Sequence, residues 1–278
     1  VTPVNVPFLK MHGAGNDFVV IDDRSAALGA DLAGLVTRMC DRRRGVGADG
    51  MLLLQRDPEL DFAMRYYNAD GRPAEYCGNG ARCLARLALD LGLGKGGTVR
   101  FRSDAGIQSA RSCADGRGIE LQFGQVVTPA APIAVEAVGR RFEGRVVHAG
   151  VPHLVIGVER VEWIPVAEWG NALRHHASFA PAGLNVDFVA RLGASRLAMR
   201  TYERGVEAET LACGSGAIAS AVCALLAGER APIAVVTAGG DELVVGARAV
   251  AVGWDVTLSG PAEVSFAGTW REAAPVTL

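Results

Sequence analysis

One phrase is written twice in this chain: MRYYNADGRPAEYCGNGARC from Met64 to Cys83, and MRTYERGVEAETLACGSGAIA from Met199 to Ala219. Both copies carry the same grammar. Phe62, Met64 and Tyr66 alternate ahead of the first, as do Ala198, Arg200 and Tyr202 in the second, so a strand leads into each. After the cysteine the spacing turns helical. Leu84, Leu87, Ala88 and Leu91 fall at i, i+3, i+4 and i+7, and so do Ile218, Ala221, Val222 and Leu225. Gly92 and Gly228 stop the two helices at the same distance, fifteen residues past Cys77 and Cys213.

A repeat of this length restricts the fold to two copies of one unit. Downstream, TVRFRSDAG and APIAVVTAGG read as strand and turn, and IELQFG and DVTLSG as further short strands. The second helix, GAIASAVCALLAG, carries no charge on any face, which places it inside its unit. Short strands and Gly-rich turns surround it. The expected fold class is therefore α+β: two similar, pseudo-symmetric domains, each a β-barrel-like sheet wrapped around a central helix, with the active site in the cleft between them. The domains are expected at 1–126, carrying Cys77 and joined by a C-terminal strand 268–278, and at 127–267, carrying Cys213. The stretch QVVTPAAPIAVEAVG is the candidate linker. DLAGLVTRMC reads as an amphipathic helix starting near Asp31, and PVAEWGNALRHHASF as a second.

Composition narrows the chemistry. With 28 basic and 30 acidic residues and a net charge of -2, the chain has no electrostatic footprint for nucleic acid or an anionic membrane. The N-terminus lacks the pattern of a signal peptide and no apolar run reaches membrane-spanning length, so a soluble cytoplasmic protein is expected. Its only lysines are Lys10 and Lys95, neither in a context suggesting a Schiff base to pyridoxal phosphate. The six cysteines contain no C-x-x-C pair and the five histidines no metal-ligand spacing, so neither a zinc site nor a thioredoxin-type dithiol is expected.

A cysteine directly before a Gly-rich helix start sits where unpaired N–H groups converge and the helix dipole is positive, which favours thiolate. An anionic group of a substrate can rest on the same N–H groups. Two such sites in a pseudo-symmetric chain suit the inversion of a tetrahedral carbon, which requires a base on one face and an acid on the other. Two N–H donors per helix start at roughly 3 kcal/mol each, with acid/base groups contributing about 10²- to 10⁴-fold, approach the ~8 to 23 kcal/mol that enzymes remove. A cofactor is not demanded.

MHGAGNDFVVID (Met11 to Asp22), YNADGRPAEYCGNGARC and RTYERGVEAETLACGSGA, with GVGADG, GVPHLV and FAPAGLNVDF in order between them, closely resemble the diaminopimelate epimerase family. That resemblance covers nearly the whole chain. It implies cofactor-independent interconversion of LL- and meso-2,6-diaminopimelate, in lysine and peptidoglycan precursor biosynthesis, by a homodimer. The implied catalytic pair is Cys77 and Cys213. The implied substrate contacts are Asn16, Asn68, Gly78, Asn79, Asn185, Glu203, Arg204, Gly214 and Ser215. Of these, Gly78 with Asn79 and Gly214 with Ser215 would hold the carboxylate at the reacting carbon, and Asn68, Asn185, Glu203 and Arg204 the distal end. His153 and Glu203 correspond to residues that tune the thiols. Two positions depart from one branch of the family: Val151 stands where that branch has Asn before Pro-His, and Gly50 where it has Gln after Asp49.

Other residues read as structural. Cys40, Cys83, Cys113 and Cys223 are expected to be core thiols. GVGADG follows RRR and leads into MLLLQ, the wrong context for a dinucleotide loop. Arg42 to Arg44 read as a solvated or loop-anchoring patch, and His12 as a residue shaping the Asn16 loop. Racemisation of proline, hydroxyproline or histidine by the same thiols, a redox protein with a reversible Cys77–Cys213 disulfide, and a non-catalytic binder of a small zwitterion are the competing readings.

Overall fold

A computed structural model describes residues 5–28, 31–74, 76–114, 116 and 118–271. The chain divides into two units: one ends at Leu121 and resumes at Pro261, and the other runs from Gln122 to Gly260. The expected limits lay at 126 and 267, and the part of the expected tail strand beyond Arg271 lies outside the described residues.

In the N-terminal unit, β1 (Asn5–Gly13), β2 (Asn16–Asp22), β3 (Gly50–Gln55), β4 (Phe62–Asn68), β5 (Thr98–Ser103), β6 (Gly106–Ser112) and the start of β7 (Gly118–Val126) pair in succession. The pairings β2/β3 and β4/β5 are parallel and the others antiparallel. A last strand, β17 (Glu263–Arg271), lies antiparallel to β1 from Asn5 to His12. Two helices fill the parallel crossovers, α1 (Leu32–Cys40) and α2 (Gly78–Asp90). Asp31 caps α1, its Oδ1 accepting from the Gly34 N–H at 3.1 Å.

The sheet wraps around α2, which is buried from Asn79 to Ala85 and again at Leu87 and Ala88. Phe18, Val20, Leu52, Leu54, Phe62 and Phe101 pack on it from inside the sheet. The alternate residues Val19, Ile21, Met51 and Leu53 point the other way, against Leu35, Val36 and Met39 of α1. Being covered on both faces is why FVVI and MLLL read as unbroken apolar runs instead of alternating ones.

The C-terminal unit repeats this order: β8 (Ile133–Ala137), β9 (Arg140–Ala149), β10 (Val151–Gly157), α3 (Val166–Arg174), β11 (Asn185–Gly193), β12 (Arg196–Glu203), α4 (Gly214–Leu226), β14 (Ile233–Val236), β15 (Glu242–Ala249) and β16 (Trp254–Pro261). A short β13 (Ala208–Thr210) pairs with the end of β12. Here too β10/β11 and β12/β14 are parallel and the other neighbours antiparallel. The helix α4 is the buried centre, from Gly216 to Val222, and α3 covers the outer face through Val166, Leu173 and Trp169.

One expectation needs correction. A third of the candidate linker is not linker: Ile133–Ala137 is the first strand of the C-terminal unit, paired with β9. Pro129 and Pro132 mark only the short stretch before it. Among the described residues no helix is long and apolar enough to cross a membrane.

Candidate functional site

Both cysteines of the repeat occupy the N-cap of the central helix of their unit, in extended backbone: Cys77 at φ −133°, ψ 116° and Cys213 at φ −122°, ψ 111°. The first helical hydrogen bonds are Ala81 N–H to Cys77 O and Ala217 N–H to Cys213 O. The main-chain N–H groups of Gly78, Asn79 and Gly80, and of Gly214, Ser215 and Gly216, precede them and have no partner within the helix. Each start is thus an anion-binding surface next to a sulfur.

In the N-terminal unit Cys77 Sγ lies 3.4 Å from Asn16 Oδ1. Asn79 Nδ2 donates to the same oxygen at 3.3 Å. Asn16 is oriented from behind, because its Nδ2 donates to Asp49 Oδ2 at 2.7 Å, which leaves only the carbonyl oxygen for the thiol. Arg42 in turn pairs with Asp49 at 2.6 Å and Asp17 at 2.7 Å. Burial pushes the Asp17 carboxyl up, but hydrogen bonds and charge from Arg42 and Lys10 outweigh it and hold the group well below the carboxylate range. The Arg patch is therefore anchored, at Arg42, to the loop that aims Asn16. On the helix itself Asn79 is fixed by Arg82, whose Nη2 donates to Asn79 Oδ1 at 2.8 Å. Arg82 is fully buried, and its Nε reaches Pro261 O at 3.2 Å.

In the C-terminal unit Cys213 is itself buried and its Sγ lies 3.4 Å from Ser215 Oγ. Ser215 Oγ is 2.9 Å from His153 Nε2, and His153 Nδ1 is 2.8 Å from Asp187 Oδ2. Asn185 Nδ2 approaches His153 Nε2 at 3.2 Å, while Asn185 Oδ1 accepts the Arg204 N–H at 2.7 Å. Glu203 accepts from Thr210 Oγ1 at 2.5 Å. Burial pushes the Glu203 carboxyl up, against hydrogen bonds from Thr210 and Cys213.

The expected lowering of both thiols by the helix start does not hold for Cys213. Burial, then the carboxylates of Glu203 and Asp187, push its thiol well above the ordinary value, and the opposing Ser215 and Gly216 hydrogen bonds are too weak to reverse this. The helix dipole is a fraction of a charge at one turn, whereas desolvation acts on the full charge of the thiolate.

Most of the expected residues thus gather in two clusters, one per unit. Asn16, Cys77, Gly78 and Asn79 form the first; His153, Asn185, Glu203, the Arg204 main chain, Cys213, Gly214 and Ser215 form the second. Asn68 stands apart from the first cluster's bonds, exposed at the end of β4 opposite Gly50. Sequence reasoning missed Arg82, Asp49 and Asp187 as supports. The signal for Asp187 was present: NVDF puts a carboxylate in a strand apolar on both sides. Cys40, Cys83 and Cys223 are raised to about 11, about 12 and about 11, mainly by burial, the state of unreactive core thiols. At Gly50 a Cβ would stand 2.4 Å from Tyr67 O and 2.7 Å from Tyr66 Cε2, so a larger residue there requires the neighbouring strand β4 to shift.

The sequence profile described as Diaminopimelate epimerase matches residues 8–129 and 145–249. A diaminopimelate epimerase of Aquifex aeolicus is 41% identical over 253 residues, covering 86% of this chain and 88% of its own. Another, of Moorella thermoacetica, is 37% identical over 250 residues, covering 84% and 89%. Among solved structures, a hydroxyproline epimerase from Agrobacterium vitis superposes with a TM-score of 0.67 at 19% identity, over 98% of this chain and 94% of that one. At that identity the likeness is one of fold.

Proposed function

The chain belongs to the diaminopimelate epimerase family, and from that premise we propose that it interconverts LL- and meso-diaminopimelate by proton transfer between Cα and two thiols, Cys77 and Cys213, without a cofactor. The observation that carries this reading is the pair of cysteine N-caps, each with three main-chain N–H groups beside the sulfur. One thiolate removes the Cα proton, and the other thiol returns a proton to the opposite face. Reversing the reaction exchanges their roles. The carboxylate gains charge as the carbanion forms, and the N–H groups at Gly78 and Asn79 and at Gly214 and Ser215 are suited to hold it.

Asn68, Asn185, Glu203 and Arg204 are the proposed contacts of the distal amino-acid end, with Arg204 taking its carboxylate. The geometry ranks them. Both ends of the Asn185 amide are already engaged, so it reaches a substrate only by giving up one bond. Glu203, bonded to Thr210 and raised by burial, is better placed to tune Cys213, the role also proposed for His153. The Arg204 side chain has no such commitment among the described contacts. A homodimer in the cytoplasm completes the proposal, and size-exclusion chromatography with light scattering tests the dimer.

The deciding experiment is solvent deuterium exchange. Purified protein in deuterated water should label the Cα of LL- and meso-diaminopimelate and leave proline, hydroxyproline and histidine unlabelled. Label in proline or histidine instead would make the chain a racemase of another amino acid. Binding without label would reduce it to a carrier.

A further inference from the structure

Around Cys213 every hydrogen-bond proton but one can be assigned. The Arg204 N–H fixes Asn185 Oδ1 as acceptor, which turns Nδ2 toward His153 Nε2. Nε2 therefore carries no proton. The ring proton is on Nδ1, where it donates to Asp187 Oδ2, while the Thr201 hydroxyl donates to Asp187 Oδ1 at 2.8 Å. His153 and Asp187 are fully buried and Thr201 nearly so, which locks this tautomer away from solvent.

Ser215 is the one member left with a choice. Its hydroxyl has a single proton and two acceptors in reach, His153 Nε2 at 2.9 Å and Cys213 Sγ at 3.4 Å. If it turns away from Nε2, Asn185 Nδ2 still satisfies that nitrogen. The sulfur needs a second donor only as a thiolate, because a thiol carries its own proton, which points toward Glu203.

We propose that the Ser215 hydroxyl is a two-position donor that follows the charge on Cys213. It rests on His153 Nε2 while Cys213 is a thiol, and rotates onto Sγ when the thiol has given its proton to substrate Cα. When the thiolate takes a Cα proton, the hydroxyl returns. Only the Cβ–Oγ torsion changes, and the serine proton itself is never transferred. Asp187 and Asn185 are positioning residues: the first keeps Nε2 an acceptor, and the second supplies the stand-in donor. This deepens the epimerase reading and rests on it. The charged and titratable groups around the sulfur, Glu203, Asp187 and His153, leave it short of donors: burial and the two carboxylates oppose the thiolate, and hydrogen bonds from Ser215 and the Gly216 N–H favour it.

The test needs no substrate. Ultraviolet absorbance of thiolate is titrated in Cys77→Ser and in Cys77→Ser/Cys213→Ser protein, and the difference isolates Cys213. Adding Ser215→Ala should make Cys213 about ten- to a hundredfold weaker as an acid, the weight of one hydrogen bond to a charged group. Ser215→Thr, which keeps the hydroxyl, should restore the midpoint. In otherwise native protein, Ser215→Ala should lower kcat by a similar factor and leave KM within about threefold, since main-chain N–H groups still bind the carboxylate. Nitrogen-15 spectra should show the His153 proton on Nδ1, and Asp187→Asn should abolish that preference. Coincident midpoints with and without Ser215, an unchanged kcat in Ser215→Ala, or a proton on Nε2 in the native protein would each overturn the proposal. If the midpoint shifts as expected but no amino acid is labelled at Cα, the donor role stands and the epimerase reading falls.

Discussion

The two units share a strand order and a cysteine N-cap, yet what lies behind each cysteine differs in kind. Strand register makes the comparison position by position. In the N-terminal unit Phe18 pairs with Gly50, and Leu52 with both Val20 and Tyr66. In the C-terminal unit His153 pairs with Asn185, and Asp187 with both Val155 and Thr201. Phe18, Leu52 and Tyr66 thus occupy the places of His153, Asp187 and Thr201. The first trio is an apolar plug, with the Phe18 and Tyr66 rings edge to face at 5.9 Å. The second is a hydrogen-bonded chain leading to Ser215. Polarity reaches Cys77 by other routes, through Asn16 from the loop and through Arg82 inside the helix, where the other unit has Ile218. One scaffold therefore builds two chemically distinct surroundings by changing a few inward positions.

The largest effects should come from the sulfurs, and they should be equal. Cys77→Ala and Cys213→Ala are each expected to lower kcat for Cα exchange by at least about 10³-fold, with the double variant little worse. A single variant retaining near-native exchange would show that one unit suffices.

Next in size is a contrast at matched helix glycines. A Cβ on Gly216 would stand 2.6 Å from Asp187 Oδ1, an atom tied to Thr201, so Gly216→Ala should displace the buried carboxylate and cost about 10²-fold in kcat. On Gly80 the nearest atoms are methyls of Leu52 at 3.0 and 3.2 Å, the movable end of an apolar side chain. Gly80→Ala should leave kcat within about threefold and change stability by less than about 1 kcal/mol, strain offsetting the gain in helix propensity. Equal responses would erase the distinction between plug and chain.

Stability should then separate single from paired replacement. Asp187→Leu leaves the His153 Nδ1–H buried without a partner and should cost about 1–3 kcal/mol in urea unfolding. Adding His153→Phe, which copies the N-terminal trio, should recover most of it while activity stays low. A double variant no more stable than the single would mean that the C-terminal sheet cannot accept the apolar solution.

The smallest effect is one of sign. The Asp17 carboxyl is depressed in the folded protein, so its stabilisation is present above its ordinary value of 3.8 and is lost as pH falls through the lower folded value. Glu203 is raised, so it costs stability as pH rises past its ordinary value of 4.5 toward the folded value. Asp17→Asn should therefore destabilise at neutral pH, by no more than about 1 kcal/mol after solvent screening, and the loss should vanish in acid. Glu203→Gln should show the opposite trend. Melting temperatures across pH check both.

How far the sequence foretold this divides along the same line. Helix spacing after each cysteine and strand alternation before it were enough for the repeated unit, because burial of α2 and α4 is written in their apolar periodicity. The surroundings of Cys213 were harder. A helix start lowers a thiol in general, and only the fold shows Cys213 buried beside two carboxylates. Arg82 was invisible for a related reason: an arginine among helical alanines and leucines reads as solvated until the whole circumference proves covered. Asp49 and Arg42 act across a turn that no periodicity describes.

The path of the chain carries a last consequence, for the order in which the protein is made. The C-terminal unit is continuous from Gln122 to Gly260, whereas the first unit needs β17, which follows all of it, to cover β1. On the ribosome the half translated first is therefore completed last, with the edge of β1 left bare until β17 has emerged. Nascent chains in which a linker carries residue 260 clear of the exit tunnel, without β17, should resist protease in their second half before their first.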